Sequence, residues 1–263
     1  NDARIPYNLG FLYTLKQDYQ SALKNFHDAY KIYPNDLDIL VNYASTLHEL
    51  KQYDSARLIF DMALALDPNC AQALTNKGVT LFELKQFDEV LFLHDKALTL
   101  EPQNYVAWSN KGNALSQLKR FDEAIACFDK ALTLRPDYHE AWAYRGATMF
   151  ELKRLNEAIA NFDRALNLKP DYNEAAWNKS LSLLLQGDYQ NGLPLYENRW
   201  RSRGVSEIAV KRSFDRPTWL GQESVKGKTI FIYGEQGLGD FIQFCRYTKL
   251  VANLGAKVIL EVP

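Results

Sequence analysis

Sulfur is scarce in this sequence, with three cysteines and two methionines among 263 residues. Cys70, Cys127 and Cys245 are odd in number, far apart and without paired spacing. That argues against a disulfide framework or a zinc site, and reduced thiols, as in a cytoplasmic protein, fit best. The four histidines, His27, His48, His94 and His139, form no ligand motif, so no metal is expected. No apolar run approaches the roughly 18 residues of a membrane-spanning helix. No basic stretch leads into an apolar one as in a signal peptide. An excess of charge is missing too: 31 Lys and Arg balance 32 Asp and Glu, a net of −1. A nucleic-acid or membrane-surface partner would call for a basic surplus, so neither is expected.

What the sequence does have is a period. Pro34, Pro68, Pro102, Pro136 and Pro170 are spaced 34 residues apart. In register with them run four more columns: Gly10, Ala44, Gly78, Gly112, Gly146; then Ala22, Ala56, Val90, Ala124, Ala158; then Phe26, Phe60, His94, Phe128, Phe162; and Ala29, Ala63, Ala97, Ala131, Ala165. Small residues let two antiparallel helices approach closely, and the large rings, with Trp108 and Trp142, fill space between units. Proline ends the second helix by removing a backbone donor and restricting the residue before it. In the fourth unit helices are expected over Tyr105–Leu118 and Phe121–Leu134. Val90 and His94 depart from their columns, which predicts local repacking and no site.

A 34-residue period with these columns resembles the tetratricopeptide repeat family. The resemblance implies an all-α, right-handed superhelical solenoid over 3–206, with units 3–36, 37–70, 71–104, 105–138, 139–172 and a degenerate 173–206. It also implies that the first helix of each unit lines an inner groove, through its second, fifth, sixth, ninth, twelfth and thirteenth positions. The sixth holds Asn8, Asn42, Asn76, Asn110, Tyr144 and Asn178; Asn113 is a further groove candidate. An amide offers both donors and acceptors, so such a column can hold the backbone of an extended peptide. It is similar to the asparagine ladder of eukaryotic O-linked N-acetylglucosamine transferases. Lys77, Lys111, Arg145 and Lys179 at the seventh position read as side chains whose stems cover neighbouring helices and whose heads reach water. The dicarboxylate clamp of chaperone-binding repeats is disfavoured, because the fifth position holds Tyr7, Val41, Thr75, Ser109 and Ala143.

Beyond the repeats the pattern changes. Residues 199–228 carry eight basic side chains against three acidic ones and read as a solvated linker, assigned to 207–226, with Trp200 and Trp219 packing on the last helix. From 227 to 263 a β-rich run, a Gly-rich loop, a helical stretch and a second β-rich run suggest the β-α-β start of a Rossmann-like domain. Pro217-x-Trp219-x-Gly221 and Glu235-Gln236-Gly237-x-Gly239-Asp240 resemble bacterial repeat-containing proteins with a glycosyltransferase-like domain of the heptosyltransferase type. The resemblance implies an anion- or substrate-binding loop at Glu235, Gln236, Gly237 and Gly239, and Asp240 as a general base or, equally, a helix cap. It implies a sugar nucleotide for a complete enzyme, whereas this chain needs no cofactor and is expected to be inactive, since two strands and a helix cannot bury both sheet faces. The leading expectation is a module that binds a peptide or protein. The alternatives are an acceptor-recruiting part of a transferase and a self-assembling homo-oligomeric scaffold.

Overall fold

The computed structural model describes residues 2–202, 219, 223–233 and 248–261. They belong to two compact units, Asn1–Leu168 and Lys169–Pro263.

The first unit is a solenoid of five helical hairpins: α1 (Arg4–Leu15) with α2 (Tyr19–Ile32), α3 (Leu37–Glu49) with α4 (Tyr53–Leu66), α5 (Ala71–Glu83) with α6 (Phe87–Leu100), α7 (Tyr105–Gln117) with α8 (Phe121–Leu134), and α9 (His139–Glu151) with α10 (Leu155–Leu168). The odd-numbered A helix and even-numbered B helix of a hairpin close on one contact. A Cβ built on Gly112 would lie 2.8 Å from the Phe128 ring, and Gly10 with Phe26 and Gly146 with Phe162 repeat the arrangement. Overpacking this seam would force ring or backbone to shift, which is why the column is small.

The hairpin turn is built from backbone. Lys51, Lys85, Lys119 and Lys153 have φ of 59–61°, as does Gln17, in the left-handed region. In each turn the following N–H closes back on the helix: Lys119 N donates to Ser116 O and Arg120 N to Leu115 O, and Lys51 with Gln52 repeats the pair. Such 5→2 and 6→1 bonds satisfy carbonyls at the helix end and fix the reversal. Lysine hides this signal in the sequence. Gly187, φ 82° at the same column of the sixth repeat, was the clue that could have exposed it.

Separate core clusters each bridge neighbouring hairpins. One cluster joins Leu40, Ala44 and Phe60 to Ala73 of the next A helix; another joins Leu74, Leu81 and Val90 to Ala114. Trp108 Nε1 donates to Pro102 O and Trp142 Nε1 to Pro136 O, each at 2.9 Å, so the repeat's aromatic anchors on the turn before it. Each A helix also packs on the next one, α1 on α3, α3 on α5, α5 on α7 and α7 on α9. The A helices therefore form one row with a common outer surface.

In the second unit α11 (Asn173–Leu185) and α12 (Tyr189–Tyr196) form a hairpin that ends in a 3-10 turn, Glu197–Arg201. Arg199 takes the place of the alanine column but does not belong to a solvated run: it is buried, 4.4 Å from the Tyr196 ring and 4.5 Å from the Trp200 ring, with Nη1 2.7 Å from Glu197 Oε1. Burial of a guanidinium is tolerated because rings and a carboxylate meet it. The α/β expectation is met only in part: β1 (Thr229–Ile232) and β2 (Lys257–Leu260) pair in parallel, with a short helix Thr248–Asn253 between them in sequence.

Candidate functional site

Each internal A helix keeps one stripe open. In α7, Ala107, Ser109, Gly112, Ala114 and Leu115 are buried, whereas Val106, Asn110 and Asn113 are half-buried and Gln117 is exposed. Steps of four, three and four residues keep these side chains on one side of a helix. The same stripe reads Asp38, Asn42, Ser45, Glu49 on α3; Gln72, Asn76, Val79, Glu83 on α5; and Glu140, Tyr144, Ala147, Glu151 on α9. The middle of the surface is thus uncharged, and its margins carry Asp38, Glu49, Glu83, Glu140 and Glu151. Asn8 is exposed on α1, and Asn178 is half-buried on α11 in the second unit.

The amides are not equivalent. Asn42 Nδ2 donates to the Tyr7 hydroxyl at 3.1 Å and to Asp38 O at 2.8 Å, and Asn76 Nδ2 donates to Ser45 Oγ at 3.1 Å. Both reach back to the preceding A helix, which orients each amide; Asn42 uses both of its N–H groups and Asn76 one of its two. Among the described residues the Asn110 amide makes no hydrogen bond. The row is braced further by Thr148 Oγ1 donating to Ser116 Oγ at 3.0 Å and by His48 Nδ1 lying 3.1 Å from Thr80 Oγ1.

The expected inward role of the fifth position does not hold. Tyr7 is half-buried, and Val41, Thr75, Ser109 and Ala143 are buried. One residue before the asparagine column turns a side chain about 100° away, into the seam between neighbouring helices.

Of the seventh-position cations, Lys77, Lys111 and Arg145 do not end in water either. Lys77 Nζ lies 2.9 Å from both Asp61 and Glu89, Lys111 pairs with Asp95, and Arg145 lies 2.8 Å from Asp129 and donates to Asn161 Oδ1 at 3.1 Å. Tyr43 OH and His27 Nδ1, 3.2 Å apart, fill the same two columns one repeat earlier. Burial works against the Lys77 charge, but Asp61 and Glu89 outweigh it and raise its pKa. These columns fasten one repeat to the next.

Two further groups are inert at neutral pH. Burial pushes the Cys127 thiol up to about 11. It pushes the fully buried His94 ring down to about 4; neither ring nitrogen has a hydrogen-bond partner. Glu235, Gln236, Gly237, Gly239 and Asp240 lie outside the described residues. Among the described residues no acidic, His or Cys group is arranged to hold a metal, and no helix is long and apolar enough to cross a membrane.

A row of helical hairpins with a shared, partly open A-helix surface defines a helical-repeat protein. Tetratricopeptide repeat models match residues 13–76, 105–138 and 139–172, together about half of the chain, and the array belongs to the tetratricopeptide repeat family. No curated protein matches the chain. Among solved structures it is similar to PilW, a type IV pilus biogenesis factor, at 24% identity and TM-score 0.67, over 78% of this chain and 97% of that one. It is similar to TTC0263, a tetratricopeptide repeat protein of Thermus thermophilus, at 22% identity and TM-score 0.62, over 70% and 100% of the two chains. The pilF protein of Pseudomonas aeruginosa matches at 19% identity and TM-score 0.62, over 78% and 96%. These likenesses establish the fold, which is typical of protein–protein interaction modules.

Proposed function

We propose that the open face of the A helices is a groove that captures an extended polypeptide by its backbone. The observation that carries this is the asparagine column: Asn42 is held with both N–H groups bound to neighbours and its carbonyl oxygen left to accept, Asn76 is held by one bond and keeps a second N–H and its carbonyl, and Asn110 keeps both donor and acceptor for a guest. An extended strand offers N–H and C=O in alternation and suits such a row. The acidic margins, Asp38, Glu49, Glu83, Glu140 and Glu151, favour a neutral to basic guest over an acidic one. A cavity of about 230 Å³ between Tyr7, Tyr33, Asp36 and Asp38 supplies a place for one side chain at the start of the groove.

Peptides selected from a display library and titrated by fluorescence anisotropy test the reading. Asn110→Ala is expected to weaken them by about tenfold, the worth of roughly one hydrogen bond in a partly desolvated site. Equal affinity with an unchanged melting temperature ends it.

We infer as a second reading that residues 227–263 open a transferase-like α/β domain. What supports it is the parallel pairing of β1 with β2, which demands a crossover and not a hairpin. The roles of Asp240 and the Gly-rich loop, and any sugar-nucleotide donor, belong to this reading. Sugar-nucleotide turnover by a longer form of the protein is the measurement that decides it, and absence of turnover removes it.

A further inference from the structure

Unused hydrogen-bonding capacity on the open stripe is concentrated on one helix. On α3 the Asn42 amide donates to Tyr7 and to Asp38 O, and Ser45 Oγ donates to Val41 O and accepts from Asn76. On α7 Asn110 and Asn113 are both half-buried, and among the described residues neither amide makes a hydrogen bond. Each presents N–H donors and a carbonyl oxygen. Among the internal A helices of the first unit, α7 is also the one whose stripe carries no charge. It reads Val106, Asn110, Asn113, Gln117, against Asp38 and Glu49 on α3, Glu83 on α5, and Glu140 and Glu151 on α9.

The spacing of the two amides selects what they can hold. Residues three apart on a helix stand on one side, with Cβ atoms about 5–6 Å apart. In an extended chain one residue sends its N–H and its C=O out on the same edge, as in the hydrogen-bonded pairs of an antiparallel ladder. Two neighbouring amides can therefore serve both groups of a single guest residue. Oδ1 of one accepts the N–H, and Nδ2 of the other donates to the C=O. The adjoining surface belongs to α9, where Tyr144 stands in the asparagine column and Ala147 in the column of Asn113. The Tyr144 ring is packed on the cluster of Leu115, Cys127 and Phe128, 6.3 Å from the Phe128 ring, so the preceding hairpin holds it in place. Ala147 is the smallest of its column, which elsewhere holds Ser45, Val79 and Asn113, and it leaves room beside the ring. An aromatic wall beside a small residue suits an apolar side chain, and an anionic one would meet Glu140 and Glu151 on the same stripe.

We propose that the guest is read on α7 and α9. Asn110 and Asn113 clasp the N–H and C=O of one guest residue, and the apolar side chain of the adjacent guest residue packs on Tyr144 above Ala147. The partner is thus an extended peptide with an uncharged segment around one apolar anchor. This rests on capture of an extended polypeptide by the A-helix face and adds where that polypeptide is recognised.

Peptides selected on this chain from a display library and titrated by fluorescence anisotropy test it. Asn113→Ala is expected to weaken binding about tenfold, as Asn110→Ala does. Ala147→Leu fills the space beside Tyr144 and is expected to cost roughly tenfold or more, with the helical circular dichroism unchanged. Methylating the peptide's backbone nitrogens one at a time should reveal one position that costs the wild-type chain roughly tenfold. The same methyl should cost Asn110→Ala combined with Asn113→Ala less than about twofold. That readout lies on the peptide and stands should Ala147→Leu disturb the fold. Binding that needs Asn110 but is indifferent to Asn113→Ala and Ala147→Leu overturns this proposal and leaves capture by the groove intact. So does the lack of a methylation-sensitive position tied to the amide pair, or a charged residue selected at the anchor. Failure to select any peptide, or indifference to Asn110→Ala as well, overturns both.

Discussion

His94 is expected to make the third repeat sensitive to acid. Its ring occupies the column that Phe26, Phe60, Phe128 and Phe162 fill elsewhere, fully buried and without a hydrogen-bond partner. Burial is the main cause of its pKa falling from 6.5 to about 4; nearby Asp95 raises it and Lys111 lowers it, and those two pair with each other. The unfolded chain therefore binds a proton near pH 6.5 and the folded chain only near pH 4. Stability from this group is complete above about pH 6.5 and is lost as pH falls through that window. With about 1.4 kcal/mol per tenfold change, the full loss is about 3 kcal/mol below pH 4 and about 2 kcal/mol at pH 5. His94→Phe removes the titrating group. The new ring fits, because a Cβ on Gly78 would stand 2.7 Å from His94, much as the other glycines stand 2.8 Å from phenylalanine. Urea denaturation followed by circular dichroism at pH 7 and pH 5, with amide exchange in α5 and α6 as a local readout, is the assay. The wild-type chain should lose about 2 kcal/mol more than His94→Phe between the two pH values. Equal losses in both proteins refute the reasoning, since the buried ring would then take its proton as easily as an exposed one.

Two other substitutions probe the hairpin. Gly112→Leu drives a side chain into the Phe128 ring and is expected to cost about 3 kcal/mol or more, read as a drop in the melting temperature; an unchanged value would mean the helices can part freely. Lys119→Gly relieves a left-handed residue, and the conformational gain of about 1–2 kcal/mol exceeds the chain-entropy cost of about 0.5–1 kcal/mol. A net stabilisation of about 0.5–1 kcal/mol in urea denaturation is expected, and a loss would show that the lysine side chain matters more than its backbone.

Much of the array was legible because its information is local and repeated. Gly112 and Phe128, 16 residues apart, meet within one hairpin, where the ring was expected between units; it also lies 6.3 Å from the Tyr144 ring of the next A helix. The fourth repeat's helices, expected over Tyr105–Leu118 and Phe121–Leu134, form over Tyr105–Gln117 and Phe121–Leu134. Period and residue size alone specify a hairpin, since both act within one turn-linked pair of helices.

What the period could not decide is how one hairpin sits on the next. That stacking carries Lys111 to Asp95 and Arg145 to Asp129, where the sequence suggested heads in water. It buries Thr75 and Ser109 where an inward, open position was expected, and it ties Asn42 and Asn76 while leaving Asn110 unbonded. It also encloses His94 beyond the reach of any partner. A side chain's column fixes its direction on its own helix. Whether it meets water, a carboxylate or a ring depends on the rotation between neighbouring repeats, which many weak contacts set together and no single column encodes.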